Sequence, residues 1–148
     1  MYVIRGSAWI IALLALVVSV LPASAEEEGA EEDARGFTRV PAPDGIQIRR
    51  TNETDGAKPS KTDRVVVHYH GTLSNGKVFD SSVERGSPAT FPLDRVVPCW
   101  TEAVTRMRVG EKAEVICPPE TAYGSRGAPP RIPPNATLTF EIELLGIQ

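Results

Sequence analysis

The side chains able to do chemistry are few in this 148-residue chain, and most are aromatic or flank an aromatic. His68 and His70 stand at i and i+2, which places both on one face of a strand because successive side chains alternate. That is half of a metal site. No third ligand follows at a recognisable spacing, so the pair reads as polar residues on a solvated face. Tyr69, between them, projects the opposite way and is the inward residue. Aromatics are scarce, at 6% of the chain, and Phe79 (beside Asp80), Trp100, Tyr123 and Phe140 are among the few. Each also has a structural reading. Trp100 and Phe140 suit a core, Asp80 suits a turn capped near Ser81 and Ser82, and Tyr123 suits a loop anchor. Cys99 and Cys117 are the only cysteines, too few for a zinc ribbon or a disulfide-dense miniprotein.

Most of the elements that position these residues are strands. Gly45 to Arg49 alternates with period two, and RVVVHYHGTL (64–73) is rich in β-branched and aromatic residues. Asn75-Gly76 predicts a type I′ hairpin, with Lys77 to Ser81 as the return strand. EKAEVIC (111–117) and TLTFEIELL (137–145) alternate again, with Ala113, Val115 and Cys117 on the core side. One helix is expected in WTEAVTRMRVG, where Trp100, Ala103, Val104 and Met107 share a face and Gly110 serves as C-cap. The proline- and glycine-rich stretch from Pro118 to Pro134 reads as a long ordered loop, a kind usually functional in compact domains. The pattern predicts an α+β domain: a twisted antiparallel sheet of about five strands with one short helix.

Composition and the chain ends bound the function. With 41% hydrophobic and 24% charged residues the chain is of ordinary soluble globular type. Residues 1–25 carry one charge, Arg5, then an apolar run from Trp9 to Leu21 and the small-residue site Ala23-Ser24-Ala25, the build of a secretory signal. An uncleaved anchor is the alternative, although a bilayer span needs about 20 apolar residues. Residues 26–36 hold six acids against one arginine and predict a disordered tail. The remaining 37–148 has 14 basic against 13 acidic residues, so the net charge of −3 belongs to the tail. Neither value suits a nucleic-acid surface. The mature protein is expected to be exported, periplasmic or secreted, and off the membrane once the signal is removed.

VVVHYHGTLSNGKVFDSS, VVPCWTEAVTRM, VGEKAEVICPPETAYG and IPPNATLTFEIELL, in this order, resemble the FKBP-type peptidyl-prolyl cis-trans isomerases, the immunophilins that bind tacrolimus and rapamycin. The resemblance covers roughly 45–147 and implies a twisted antiparallel sheet wrapped around one short helix. It implies pocket walls of Tyr69, Phe79, Val96, Val97, Ile132 and Phe140 over a floor of Trp100. It further implies Asp80 at the pocket edge with Arg85 as its partner, the Tyr123 phenol as a ligand donor, and the Val97 backbone N–H as donor to the carbonyl beside the proline. Tyr69, Asp80, Val97 and Tyr123 would carry catalysis. Rotation about an X-Pro bond breaks no covalent bond to the substrate, so no nucleophile, metal or cofactor is required. The barrier of about 18–20 kcal/mol is lost amide resonance, which desolvation and hydrogen bonds to the twisted form reduce.

The resemblance also carries departures. Ala89 stands where many members have a second aromatic rim residue, Arg131 where members often have an apolar one, and Cys99 where glycine is usual. The rim is expected to be more open and more cationic, which bears on macrolide affinity and substrate preference. In the family fold the strand ending at Cys117 packs beneath the helix that follows Cys99, so a disulfide is expected, with two free buried cysteines as the alternative. Proline-containing polypeptides are the expected partners. Only the short acidic tail precedes the domain, with no helical dimerising arm, so a monomer is expected. The competing function is a non-catalytic FKBP-like module that holds proline-containing or unfolded segments.

Overall fold

The structure, a computed structural model, describes residues 31–148. The signal-like segment 1–25 and the first part of the acidic stretch lie outside the described residues. Seven strands and one α-helix follow in the order β1 (Thr38–Val40), β2 (Gln47–Arg50), β3 (Arg64–Leu73), β4 (Val78–Ser81), β5 (Ala89–Pro92), α1 (Pro98–Val104), β6 (Lys112–Cys117) and β7 (Leu138–Ile147). All pairings are antiparallel, in the spatial order β1-β2-β6-β7-β3-β4, with β5 also on β3. Five of these strands are the expected ones, and β1 and β5 are additions. Both are three or four residues long, too short to show a period in the sequence.

β3 and β7 form the axis of the sheet, paired from Val65↔Ile147 to Leu73↔Leu138. Alternation sorts their side chains. Val65, Val67 and Tyr69 face the core with Phe140, Ile142 and Leu144, as do Ala113, Val115 and Cys117 of β6. His68 and His70 face the other way, and their Nδ1 atoms lie 3.1 Å from Ser82 Oγ and 2.9 Å from Ser81 Oγ. Among the described residues no group of three or more His, Cys, Asp or Glu is placed to hold a metal ion, and no helix is long and apolar enough to cross a membrane.

The outer edge of β3 is shared. β5 covers Arg64–Val67, and β4 pairs with it from His70 onward. Tyr69 falls in the gap, where its backbone would lack partners. Ser82 closes that gap: its Oγ accepts from the Tyr69 N–H at 2.8 Å, and its N–H donates to the Tyr69 carbonyl at 3.0 Å. A buried strand edge without such a partner would leave two polar groups unsatisfied, so Ser82, fully buried itself, is required for the break between β4 and β5.

Two local expectations are revised. The β3–β4 turn is not type I′, because only Gly76 has positive φ (+84°), with Asn75 outside that region. Gly76 N–H donates to Leu73 O and Leu73 N–H to Lys77 O, which is a type I turn followed by a left-handed glycine. The helix ends at Val104 rather than near Gly110, because Thr105 Oγ1 bonds back to Thr101 O at 2.7 Å and the next amides make tighter i→i−3 bonds. Met107 stays in the core from the following turn. In the described part of the acidic stretch, Asp33 Oδ1 accepts the Arg35 and Phe37 amides and Glu32 bridges to Thr38.

Helix α1 lies under the sheet with Cys99, Trp100, Ala103 and Val104 buried. Cys99, at its first turn, is bonded to Cys117 at the end of β6, with Cα atoms 5.7 Å apart, and both residues are fully buried. The bond ties the helix start to the strand from which the 118–134 loop departs. Closing a loop with a sequence separation of 18 stabilises by about 3 kcal/mol on the chain-entropy estimate. Unreduced, denatured protein should therefore show no reactive thiols. Cys99→Ser with Cys117→Ser should melt on the order of 10 °C lower by circular dichroism.

Candidate active site

Between the concave side of the sheet and the start of α1 lies a slot of about 470 Å³. Trp100 forms its base, 5% exposed, because the helix begins at Pro98 and so turns its third residue toward the sheet. Four rings approach it and one another edge to face. Tyr69 and Phe140 lie 5.3 Å from Trp100 and Phe91 5.4 Å, while Phe79 stands 5.5 Å from Phe140. This arrangement sets the positive ring edges against negative faces, and each such pair is worth about 0.5–1.5 kcal/mol beyond area burial. The result is a rigid apolar box rather than a collapsed core.

A glycine makes the box possible. Gly71 pairs with Asp80 on one side and Phe140 on the other. A Cβ built there would sit 2.6 Å from the Phe79 ring and 3.1 Å from the Phe140 ring. The HYHGTL run contains this requirement, but nothing in its periodicity reveals it.

The polar side of the slot is one network. Tyr69 donates its phenolic hydrogen to Asp80 Oδ2 at 2.6 Å, and Arg85 donates from one guanidinium nitrogen to the Tyr69 oxygen at 2.9 Å and from the other to Asp80 Oδ1. The guanidinium carbon also lies 5.7 Å from the Tyr69 ring centre. Burial raises the Tyr69 phenol above its usual value, and acceptance by Asp80 adds to this against the opposing Arg85. Burial would likewise raise the Asp80 carboxyl, but the bonds from Tyr69 and Arg85 outweigh it and hold the group below the ordinary carboxylate range. The phenol is therefore protonated and the carboxylate ionised across all neutral pH.

Two donors at the mouth remain open. Val97, the residue before α1, has extended ψ of 147°, and among the described residues its N–H donates to no carbonyl. Its carbonyl is used instead, by the Trp100 and Thr101 amides. Tyr123, 42% exposed, projects from the 118–134 loop over the slot, its backbone held by the Gly127 N–H.

Of the residues expected from sequence, the structure brings Tyr69, Phe79, Asp80, Val96, Val97, Trp100, Tyr123 and Phe140 to the slot. Ile132 is not among its lining residues. It lies in the core, 5% exposed, because reciprocal bonds with Ala128 turn its side chain inward. Arg85 reaches the slot only through Tyr69 and Asp80. Phe91 and Arg95 line the slot and were not expected. The count of phenylalanines could have signalled Phe91, since Phe37 sits beside the acidic stretch and the other two were already placed.

A single sheet packed on a short helix, with an aromatic slot between them and unpaired donors at its mouth, is the arrangement to compare. Known proteins share it. The family described as FKBP-type peptidyl-prolyl cis-trans isomerase matches residues 55–145. The FKBP-type 22 kDa peptidyl-prolyl cis-trans isomerase of Escherichia coli is 52% identical over 121 residues, 82% of this chain and 57% of that protein. FK506-binding protein 1A of Emericella nidulans is 51% identical over 108 residues, 70% of this chain and 98% of its own length. The crystal structure of FkpA from Escherichia coli superposes with a TM-score of 0.68 at 40% identity, covering 83% of this chain and 53% of that one. The chain thus spans about half the length of the bacterial relatives and nearly all of the fungal one. It belongs to the FKBP-type peptidyl-prolyl cis-trans isomerase family.

Gly71→Ala should displace Phe79 and Phe140, costing about 1–3 kcal/mol by denaturant titration and weakening any ligand of the slot. For Asp80, whose folded pKa lies below its ordinary value of 3.8, the linked stability is present above that value and lost as pH falls through the folded pKa. The stability gap between the native protein and Asp80→Asn should therefore be constant from about pH 5 to 8 and close below about pH 4 in urea titrations.

Proposed function

We propose that this chain is a peptidyl-prolyl cis-trans isomerase acting on proline-containing polypeptides outside the cytoplasm. The observation that carries the reading is the conjunction of a preformed apolar box with an unpaired Val97 N–H and the Tyr123 phenol at its mouth. A prolyl ring seated against Trp100 brings its amide out of water among these groups. The planar amide is the more polar form, so desolvation raises its energy relative to the twisted one. Donors that fit the twisted carbonyl add to the difference. Each 1.36 kcal/mol of such differential binding gives about tenfold in rate. The scheme transfers no proton and breaks no bond, so it calls for no metal or cofactor.

In this reading Tyr69, Phe79, Val96, Phe140 and Trp100 bind the ring, with Phe91 added. Val97 and Tyr123 act on the carbonyl groups. Asp80 lines the slot and, with Arg85, fixes the Tyr69 hydroxyl at its edge. The resemblance puts Ala89 and Arg131, neither of which lines the slot itself, where other members carry an aromatic and an apolar residue, so tacrolimus-type macrolides should bind less tightly here than to those members. Export follows from the build of residues 1–25.

A protease-coupled assay on a short Xaa-Pro peptide tests the reading. Folded protein that gives only the uncatalysed rate, while still binding the peptide, would establish the non-catalytic holding module instead. Trp100→Ala and Phe140→Ala should lose activity together with about 3–5 kcal/mol of stability. Asp80→Val should stay folded by near-ultraviolet circular dichroism and lose about tenfold in kcat/KM. Activity should be nearly flat between about pH 6 and 8, since Tyr69 and Asp80 keep one charge state there. A pronounced optimum inside that window would implicate a histidine.

A further inference from the structure

The slot is not closed on the side of β4. Phe79 and Asp80, which form one of its walls, also line a second recess of about 590 Å³. Its other lining residues are Val78, Ser81, Pro130 and the charged Lys77, Glu84, Arg85 and Arg131. Its charge is unevenly matched. Arg85 and Asp80 satisfy one another, which leaves the cations of Lys77 and Arg131 against the single exposed carboxylate of Glu84. Among the described residues neither Lys77 nor Arg131 makes an ion pair. Arg95, on the mouth of the slot itself, is likewise without a carboxylate partner and adds to the positive field.

Both cations stand on fixed backbone. Lys77 is the residue after the β3–β4 turn, and its N–H donates to Asn75 Oδ1 at 2.9 Å. Arg131 precedes Ile132, which is anchored in the core, and the reciprocal Ala128–Ile132 bonds of 2.9 and 3.0 Å close the loop that carries it. The two side chains thus converge on one recess from two different loops. An extended polypeptide advances about 3.3 Å per residue. With a proline in the slot, a residue one or two positions away therefore reaches across the shared Phe79–Asp80 wall.

We propose that this recess is a subsite for an acidic side chain, aspartate or glutamate, flanking the proline of a client polypeptide, with Lys77 and Arg131 setting the preference. The assignment rests on the isomerase reading for the proline in the slot and adds a substrate class to it. Clients with a carboxylate near the proline are favoured over neutral ones, and clients with lysine or arginine there are disfavoured by the same field.

The test uses peptides with one proline and a single Glu placed in turn at the two positions before and the two after it, each compared with the matching Gln peptide. Turnover is read in the coupled assay and affinity by calorimetry, on native protein and on Lys77→Gln with Arg131→Gln. At least one Glu position should be favoured about threefold at low salt, in the range of exposed ion pairs. The preference should vanish in the double variant and in about 1 M salt, where the screening length falls to about 3 Å. The double variant should turn over Gln peptides at the native rate. Glu peptides no better than Gln peptides at all four positions, or a preference that survives in the double variant, overturns the subsite. Absence of turnover on every peptide, with the affinity preference for Glu intact and charge-dependent, would overturn the isomerase reading and support the subsite.

Discussion

The site depends on Tyr69 being held from both ends. Its hydroxyl is fixed by Asp80 and Arg85, and its backbone is fixed by Ser82 in the gap where β3 has no strand partner. Asp80, Ser81 and Ser82 are consecutive. A single short segment leaving β4 therefore supplies the carboxylate for the ring's polar end and the hydroxyl and amide for its main chain. The ring then meets Trp100 and Phe91 at fixed angles. If the hydroxyl were unpaired, the buried phenol would carry a desolvation cost, and the side chain would be drawn out toward water.

Around this fixed point the fold is arranged to keep an apolar volume empty. Core residues normally interdigitate until no void remains. Here edge-to-face aromatic contacts hold four rings around Trp100 or each other without filling the space between them. The helix cannot move up to close the slot, because its first turn is bonded to the end of β6 through Cys99 and Cys117. Thr101 Oγ1, donating to Leu93 O at 2.7 Å, adds a second tie between the helix and the segment after β5. The same restraints leave the Val97 N–H at the mouth, since that residue precedes the helix and its amide has no intrahelical partner. A helix N-terminus thus gives the slot a donor at no cost to secondary structure.

Charge is distributed by the same logic. Asp80, which lines the slot, is tied into the network of Tyr69 and Arg85, while Arg95 at the mouth and Lys77 and Arg131 in the adjoining recess make no ion pair among the described residues. An apolar ring is thereby accepted on shape and dryness, while the flanking residues of a client meet the field. The acidic stretch near the N-terminus contributes most of the chain's net charge but packs, in the residues described, beside β1 rather than over the slot.

The sequence by itself determined where five of the seven strands lie and which face their residues take. Period-two alternation is a direct consequence of strand geometry, so the strands 64–73, 111–117 and 137–145, the inward Tyr69 and the core-facing Cys117 were legible from residue types alone. The aromatic walls and the Asp80–Arg85 pair came instead from the resemblance of four motifs to a known family, which periodicity alone does not supply. What the tertiary structure decided lies where the chain's partner is distant in sequence. Ser82 matters only because β4 and β5 divide one edge of β3, and Gly71 only because Phe79 and Phe140 cross above it. Phe91 belongs to the slot because the short β5 pairs with β3, and Ile132 does not because its loop turns it into the core. The early end of the helix shows the same limit, because the Thr105 hydroxyl competed with the backbone pattern that the apolar spacing favoured. Local periodicity records which side of an element is dry. It does not record what will be opposite, and the site is made of what stands opposite.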